Sequence, residues 1–208
     1  DPAIGRKKTA LFIQCVGSRT AERPYCSKLC CTHSISNALK LKTLNPEMDV
    51  YILYQDMRAY GLREDLYRKA REAGVQFIRY RQEQGVEVLQ EGADLKVRFK
   101  DTVLRREMEI TPELIVLASA IVPPKENPLA QQFKVTLNDD GFFMEAHAKL
   151  RPVDCATDGV FICGLAHAPK PIDESISQAA AAATKAVTLL ARKVIRTSGN
   201  TAKVDPMA

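Results

Sequence analysis

The sequence contains no long apolar run and no block of basic residues, and each absence excludes a class of function. The alanine run Ala179–Ala183 is followed at once by Thr184 and Lys185, so it is far too short to be a membrane span. The 30 Lys and Arg residues are scattered among 25 Asp and Glu residues, and the net charge is only +5. We therefore expect no membrane span and no nucleic-acid partner.

The first β–α turn lacks the glycines that a dinucleotide site requires. In a G-x-G-x-x-G turn, backbone N–H groups approach the pyrophosphate because no side chain is in the way. Here the turn contains one glycine, Gly17, and much of the rest is filled by Arg19, Glu22, Arg23 and Tyr25. This absence argues against a nicotinamide dinucleotide at this turn, and so against an NAD(P)H oxidoreductase.

Neither a secretory signal peptide nor a disulfide scaffold is indicated. The chain begins with Asp1-Pro2 rather than Met, so we expect either a processed protein or a piece of a longer one. The six cysteines are clustered rather than spread, unlike those of a small secreted domain. We expect a reducing, cytoplasmic compartment.

The pattern of apolar residues predicts an α/β fold. Three buried strands alternate with two helices in the order Thr9–Gln14, Ser27–Leu44, Asp49–Tyr54, Arg63–Ala73 and Val75–Tyr80, with Gly74 closing the second helix. This β-α-β-α-β order predicts a Rossmann-like parallel sheet. Further along we expect an antiparallel hairpin (Val86–Gln90 and Leu95–Lys100), buried strands at Leu114–Ala118 and Gly159–Cys163, and a helix from about Asp173 to Ile195.

Four of the six cysteines lie in the first β–α turn and the helix after it: Cys15, Cys26, Cys30 and Cys31, spaced C-x10-C-x3-C-C. Cys26 and Cys30 share a face if the helix begins by Cys26, since residues four apart are neighbours on a helix. Cys15 ends the strand beside the helix N-terminus, which favours thiolates and an anionic cluster. The spacing therefore places four thiols around one pocket.

Four interpretations of these thiols remain open. They can pack as small hydrophobic groups, form a redox disulfide, hold a structural zinc ion or hold a 4Fe–4S cluster. No C-x-x-C is present for a disulfide, and the adjacent Cys30 and Cys31 diverge too much to suit the tight zinc tetrahedron. A 4Fe–4S cluster is wider and takes each thiolate on a separate iron. We favour the cluster.

Several long stretches resemble the A-type subunit of heterodisulfide reductase and its relatives. They are FIQCVGSR, ERPYCSKLCC, VYILYQDMRAYG, GFFMEAHAKLRPVD and ATDGVFICGLAHAPKPIDESISQAAAAATKA, and the similarity runs from about Lys8 to Arg196. The resemblance implies an iron–sulfur flavoprotein with a thioredoxin-reductase-like fold, which moves electrons among clusters, FAD and partner subunits. It also implies that Cys15, Cys26, Cys30 and Cys31 are the ligands of a 4Fe–4S cluster.

The resemblance further implies one wall of an FAD site after the strand Gly159–Cys163. The flavin-side positions it indicates are Gly164, Ala166, His167, Lys170, Ile172, Ser175 and Gln178, with Lys170 a candidate to approach the isoalloxazine ring. Physically, Gly164 lets a backbone come close, and the next helix offers free N–H groups at its N-terminus. Leu165 stands where the family has an acidic residue. An ordinary strand-to-helix turn is the alternative.

The family's N-terminal flavin-binding half, with its own G-x-G-x-x-G, has no counterpart in this sequence, and neither do its ferredoxin-like modules. The chain therefore resembles the middle and C-terminal part. We expect a Rossmann-like domain at residues 1–122 that carries the four cysteines, a flavin-domain-like segment at 123–196 and a flexible tail at 197–208. Together these form a thioredoxin-reductase-like α/β fold with a hairpin insertion and the C-terminal strand and helix of a flavin-binding domain.

The implied function is electron transfer through a 4Fe–4S cluster next to a partial FAD site, together with ferredoxin-like or heterodisulfide-reductase-like subunits or domains of a redox complex. The alternative is a zinc- or cluster-stabilised module that docks partners without turnover. Two positions are open for Arg19 and Arg23. They can lie on the surface, or they can lie beside the cluster, where their positive charge would raise its reduction potential. We expect Arg63, Arg68 and Arg71 to form a solvated helix face.

Overall fold

Two β-sheets and two α-helices build residues 3–119. The computed structural model describes residues 3–194. Its strands are β1 Thr9–Val16, β2 Asp49–Tyr54, β3 Gln76–Arg79, β4 Val86–Glu91, β5 Asp94–Asp101, β6 Arg106–Ile110 and β7 Leu114–Ser119, and its α-helices are α1 Cys30–Leu44, α2 Glu64–Glu72, α3 Pro128–Gln132 and α4 Ile172–Leu190. Strands β3, β2, β1 and β7 form one parallel sheet in that order. The predicted β-α-β-α-β order is confirmed.

Strand β1 is buried on both faces, as is typical of a central parallel strand. Its side chains alternate between two cores. Phe12 packs on one side with the helix residue Ile35 and with Ile52 of β2. Leu11 and Ile13 pack on the other side against the antiparallel sheet. The carboxyl end of β1, where the first cysteine lies, is therefore held from both faces.

The predicted hairpin is confirmed, but it is part of a larger sheet. Strands β4 and β5 pair antiparallel with Glu91 opposite Asp94. A third strand, β6, pairs antiparallel with β5 and was not predicted. Its sequence, REMEI, is dominated by charged residues because β6 lies at the edge of the sheet, where side chains reach water.

Helix α1 begins at Cys30, three residues later than the predicted start at Ser27. Lys28 has a φ of 58°, in the left-handed region, which breaks the helical path before Cys30. The Ser27 hydroxyl accepts a hydrogen bond from the Ile121 N–H at 3.0 Å, which ties the loop to the segment after β7. Cys26 and Cys30 therefore do not share a helix face; they come from a loop and a helix start.

Between β7 and α4 the chain contains one short α-helix, α3, a single 3-10 turn at Gly164–Ala166 and isolated β-bridges. The predicted strand Gly159–Cys163 is wrong: Phe161 forms a single bridge with Asp154, and the Ile162 N–H donates to the Val153 carbonyl. Within residues 3–194 the Asp154–Phe161 pair is an isolated bridge with no second bridge next to it, so no ladder forms. Helix α4 starts at Ile172, as expected within one residue. The helix ends at Leu190, so the predicted end at Ile195 is wrong, and the residues just after Leu190 are already non-helical. The predicted tail at 197–208 lies outside the described residues.

Within residues 3–194, no helix is both long enough and apolar enough to cross a membrane.

Candidate functional site

Cys15 lies at an irregularity near the carboxyl end of β1. The register between β1 and β7 shifts between Ile13 and Val16. Cys15 has a φ of 62°, a left-handed conformation that is uncommon for any residue except glycine. Bulges of this kind redirect a side chain. The strand end is therefore shaped to direct the buried Cys15 thiol.

Cys26 lies in the loop that connects β1 to α1. The Lys28 N–H donates to Cys26 Sγ at 3.3 Å, because the left-handed Lys28 folds the loop back on itself. The loop is further closed by the Arg19 N–H, which donates to the Tyr25 carbonyl at 3.1 Å. These bonds carry Cys26 back towards the start of α1.

Cys30 and Cys31 are the first two residues of α1, where backbone N–H groups lack partners within the helix. Their thiols face the carboxyl ends of two different strands. Cys30 Sγ lies 4.0 Å from the Ser119 carbonyl at the end of β7, and Cys31 Sγ lies 3.7 Å from the Asp56 carbonyl just after β2. The site is thus built at the carboxyl edge of the parallel sheet, where α/β proteins place ligands.

The four thiols lie close enough to perturb one another's ionisation. Burial is the main cause that raises the pKa of Cys15 to about 11, and the other three thiols add to the rise. Burial also raises the pKa of Cys30 and Cys31, with neighbouring cysteines contributing. The structure therefore brings together the four cysteines that the sequence singled out, and a positive or cationic group would relieve their mutual repulsion.

The donor set is suited to a polynuclear cluster. All six cysteines are free thiols. Within residues 3–194, no three Cys, His, Asp or Glu side chains converge closely enough to hold one metal ion. Thiolates are the usual ligands of iron–sulfur clusters, and each binds a separate iron, so they need not converge on one point.

Four of the C-terminal candidates form a half-buried hydrogen-bond network around Gly164. Lys170 Nζ donates to the Gly164 carbonyl at 2.8 Å and lies 3.2 Å from His167 Nδ1. Gln178 Oε1 accepts from the Gly164 N–H at 2.9 Å, and Gln178 Nε2 donates to the same His167 nitrogen at 2.9 Å. Four of the seven predicted flavin-side residues therefore hold one another, and Gly164 adopts a left-handed φ of 65° at their centre.

The contacts of His167 determine its tautomer. Because Nδ1 faces two donors, it accepts, and the proton of the neutral ring is on Nε2. That nitrogen faces Glu145 Oε2 at 3.7 Å. Burial, followed by the charge of Lys170, lowers the pKa of His167, and burial lowers the pKa of Lys170 as well. The network therefore favours a neutral imidazole at His167.

The other three predicted residues lie at the margin of this network. The Ala166 carbonyl accepts from the Phe143 N–H at 3.0 Å. Ser175 Oγ donates to the Pro171 carbonyl at 3.0 Å, and the Ser175 side chain packs against Gly164. Ile172 is mostly exposed and takes no part in the network.

The cysteine loop, residues 17–29 between β1 and α1, lies next to the Gly164 network. The charge of Lys28, in the cysteine loop, contributes to the lowered pKa of both His167 and Lys170. The start of α1 and the start of α4 enclose a cavity of about 480 Å³, lined among others by Leu29, His33, Lys170, Ile172 and Ser175. A group bound in this cavity would contact Lys170 of the Gly164 network and Leu29, the residue before Cys30, but none of the four cysteines lines the cavity.

Several residues at this junction were missed or misplaced when only the sequence was considered. Arg63 was expected on a solvated face, but it pairs with Asp173 at the start of α4, and Tyr60 hydrogen-bonds to Glu174. Asp56 was not singled out. Its position just beyond the carboxyl end of β2 was the available signal, because ligands of α/β sheets gather at that edge.

Curated relatives match the chain over nearly its whole length. It is 40% identical to one of the A-type iron–sulfur subunits of CoB–CoM heterodisulfide reductase from Methanopyrus kandleri, over 98% of the chain. It is 43% identical to the corresponding iron–sulfur subunit from Methanocaldococcus jannaschii, over 84% of the chain. The chain is homologous to part of the A-type subunit of heterodisulfide reductase. It spans 32% and 27% of these two relatives, so it matches about a third of such a protein. No protein-family model matches it.

Solved structures confirm the predicted fold class. Thioredoxin reductase from Lactococcus lactis superimposes with a TM-score of 0.59 at 17% identity, covering 92% of this chain and 55% of the enzyme. Thioredoxin reductase from T. acidophilum gives a TM-score of 0.58 at 13% identity, covering 89% of this chain and 53% of the enzyme. At such low identity these matches establish a thioredoxin-reductase-like fold and nothing about activity.

Proposed function

We propose that this chain is an electron-transfer module of a heterodisulfide-reductase-A-like redox complex. Cys15, Cys26, Cys30 and Cys31 would hold a 4Fe–4S cluster, and residues around Gly164 would form one wall of an adjacent FAD site. The observation that carries the proposal is the gathering of the four thiols at the carboxyl edge of the sheet, beside the Gly164 network. When bound, the cluster passes single electrons and the flavin converts between one- and two-electron steps.

The backbone around the thiols supports a ligand-holding role. Cys15, Arg19 and Lys28 all have φ values between 58° and 62°, although none is glycine. Such conformations cost about 1–3 kcal/mol each and collect where a site requires them. The start of α1 adds N–H groups and the positive end of a helix dipole, which stabilise thiolates. The backbone conformation of this segment therefore costs free energy, and we infer that it is kept because it places the thiols.

The Gly164 network supports a positioning role. Lys170 and Gln178 hold the Gly164 carbonyl and N–H from opposite sides, so the turn before α4 is rigid. The first turn of α4 lines the cavity between the starts of α1 and α4 with Ile172, Asp173 and Ser175, and its first N–H groups have no partner within the helix. These groups suit the anionic or carbonyl oxygens of a flavin. The predicted division into residues 1–122 and 123–196 places the two cofactors on different parts of the chain.

The names of the relatives support a role within an assembly. The matching proteins are subunits, and one from Methanothermobacter marburgensis is named as the A-type subunit of an H2:CoB–CoM heterodisulfide, ferredoxin reductase. Since this chain matches 29% of that protein, other domains or subunits would supply electrons and accept them.

Iron analysis tests the cluster. The chain, purified anaerobically, should contain iron and sulfide and absorb broadly near 400 nm, which is a property of the cofactor. Cys30→Ser should lose most of the iron, and folding stability with it, because ligation energy is coupled to folding. Cys155→Ala is the matched control, since Cys155 is buried in a separate apolar cluster. Unchanged iron in Cys30→Ser would refute the ligand assignment, and a colourless protein with bound zinc would favour the partner-docking alternative.

Flavin analysis tests the second cofactor. The sequence contains no G-x-G-x-x-G to hold the pyrophosphate of FAD, and a half-site leaves few contacts to offset the loss of translational freedom on binding. We expect the 208-residue chain to purify without stoichiometric FAD and to gain it when mixed with, or joined to, an N-terminal flavin-binding half. A full equivalent of FAD retained by the chain alone through gel filtration would contradict the half-site.

A further inference from the structure

The two arginines of the cysteine loop have different surroundings. Arg23 Nε donates to the Gly17 carbonyl at 2.7 Å, and its side chain is 37% exposed beside Glu22. The Arg19 side chain is only 21% exposed and interacts with Cys15, whose pKa it lowers. Of these two arginines, only Arg19 acts on the thiols; Arg58, which follows β2, also lowers the pKa of Cys31.

Arg19 is held in place by Asp56. Arg19 Nη2 donates to Asp56 Oδ2 at 2.6 Å, while Arg79 Nη2 donates to the other carboxylate oxygen at 2.8 Å. The hydrogen bond from Arg19 is the main cause that lowers the pKa of Asp56, so the carboxylate is ionised at neutral pH. The backbone carbonyl of Asp56 also accepts from the Cys31 thiol. One residue thus contacts both the arginine and a cysteine of the site.

One nitrogen of the Arg19 guanidinium is left without an ordinary hydrogen bond. Its Nη1 is buried and makes no hydrogen bond of ordinary geometry within residues 3–194, although the Cys15 thiol interacts with the Arg19 guanidinium. A buried donor without an acceptor is costly, and most such groups in folded proteins find a partner. The sulfur atoms of a cluster bound to Cys15 would be acceptors on that side of the guanidinium.

We propose that Asp56 holds Arg19 beside Cys15, and that the fixed charge of Arg19 would raise the reduction potential of a cluster bound by the four cysteines. This rests on the proposed 4Fe–4S site. Reduction adds one electron and no proton, so the group gains one negative charge, and the electron comes from a one-electron donor such as reduced flavin. A fixed positive charge stabilises the more negative state more. Two arginines and one aspartate leave the Arg19–Asp56–Arg79 group with a net positive charge.

The test is the midpoint potential of the cluster in anaerobically prepared chain, measured by mediated titration and followed by electron paramagnetic resonance at fixed pH and salt. In Arg19→Met the equilibrium constant for reduction should fall at least about tenfold, which is 59 mV for one electron. Arg23→Met removes the same charge from the same loop and should leave the potential nearly unchanged. Arg19→Lys, which keeps the charge, should lie between Arg19→Met and the wild type.

The outcomes separate the two proposals. A wild-type chain without iron refutes the cluster itself. If Arg19→Met keeps its full iron content and has the same midpoint potential as Arg23→Met, the role of Arg19 is refuted. If Arg19→Met cannot hold iron, Arg19→Gln, which keeps a donor without the charge, takes its place in the comparison. Iron loss in both neutral variants but not in Arg19→Lys supports the role of the charge, whereas loss in all three shows that Arg19 serves only to fold the loop.

Discussion

Replacing Gln14 with leucine should stabilise the cofactor-free chain. Gln14 precedes Cys15 and is 1% exposed, yet neither amide atom, Nε2 or Oε1, has a hydrogen-bond partner in the described part of the chain. A buried polar group without a partner costs about 1–3 kcal/mol. Leucine is of similar size and carries no polar atom, and the hydrogen bond from the Tyr80 hydroxyl to the Gln14 backbone carbonyl, at 2.7 Å, is retained.

The expected gain for Gln14→Leu is about 2 kcal/mol, the middle of the range for one unsatisfied group. For a chain of this size, that raises the melting temperature by roughly 4–8 °C. Urea unfolding followed by circular dichroism measures the difference after iron has been removed. The control is Gln76→Leu, an exposed residue of β3, which should change stability by less than about 0.5 kcal/mol. A less stable Gln14→Leu would show that the amide has a partner after all, and a loss confined to iron-loaded protein would make that partner the bound group.

Two further predictions concern the core and the Gly164 network. Ile35→Ala should destabilise the chain by about 2–5 kcal/mol in urea unfolding, because the Ile35 side chain of α1 is fully buried against the sheet. Leu44→Ala, at the exposed end of the same helix, should cost far less stability. Equal losses in the two variants would contradict the packing described. Burial lowers the pKa of Lys170 in the folded chain. Between that lowered pKa and the ordinary lysine pKa of about 10.4, the unfolded chain therefore binds more protons than the folded chain. In this pH range the free energy of unfolding of the wild type should rise with pH relative to that of Lys170→Met, and parallel pH profiles of the two proteins would refute this.

The order of the first five elements could be predicted because each leaves a local signal. A parallel strand covered on both faces appears as an apolar run, as Asp49–Tyr54 does, and Gly74 ends its helix in the left-handed conformation that glycine adopts most readily. Strand β6 left no such signal, since an edge strand is held by pairing with β5 rather than by burial. The prediction of a strand at Gly159–Cys163 was wrong for the opposite reason. The segment is apolar, but strand formation also requires a neighbouring strand to pair with, and no local sequence pattern shows whether one is present.

The sequence by itself determined which residue types this protein concentrates in its first β–α turn. It also determined the α/β order that carries this turn to the carboxyl edge of a sheet, and the homology with the A-type subunit of heterodisulfide reductase. The spacing of Cys15 from the other three cysteines is local information, so it could be read directly.

Only the tertiary structure decided what surrounds the thiols. Arg19 and Arg23 are equivalent in sequence, but Asp56, which follows a different strand, selects Arg19 and holds it against Cys15. In the same way, α4 brings Gln178 to Gly164, 14 residues away, and Glu145 reaches His167 from a separate loop. Charges and hydrogen bonds act through space over a few ångströms, and the distance along the chain does not reveal which groups the fold will bring that close.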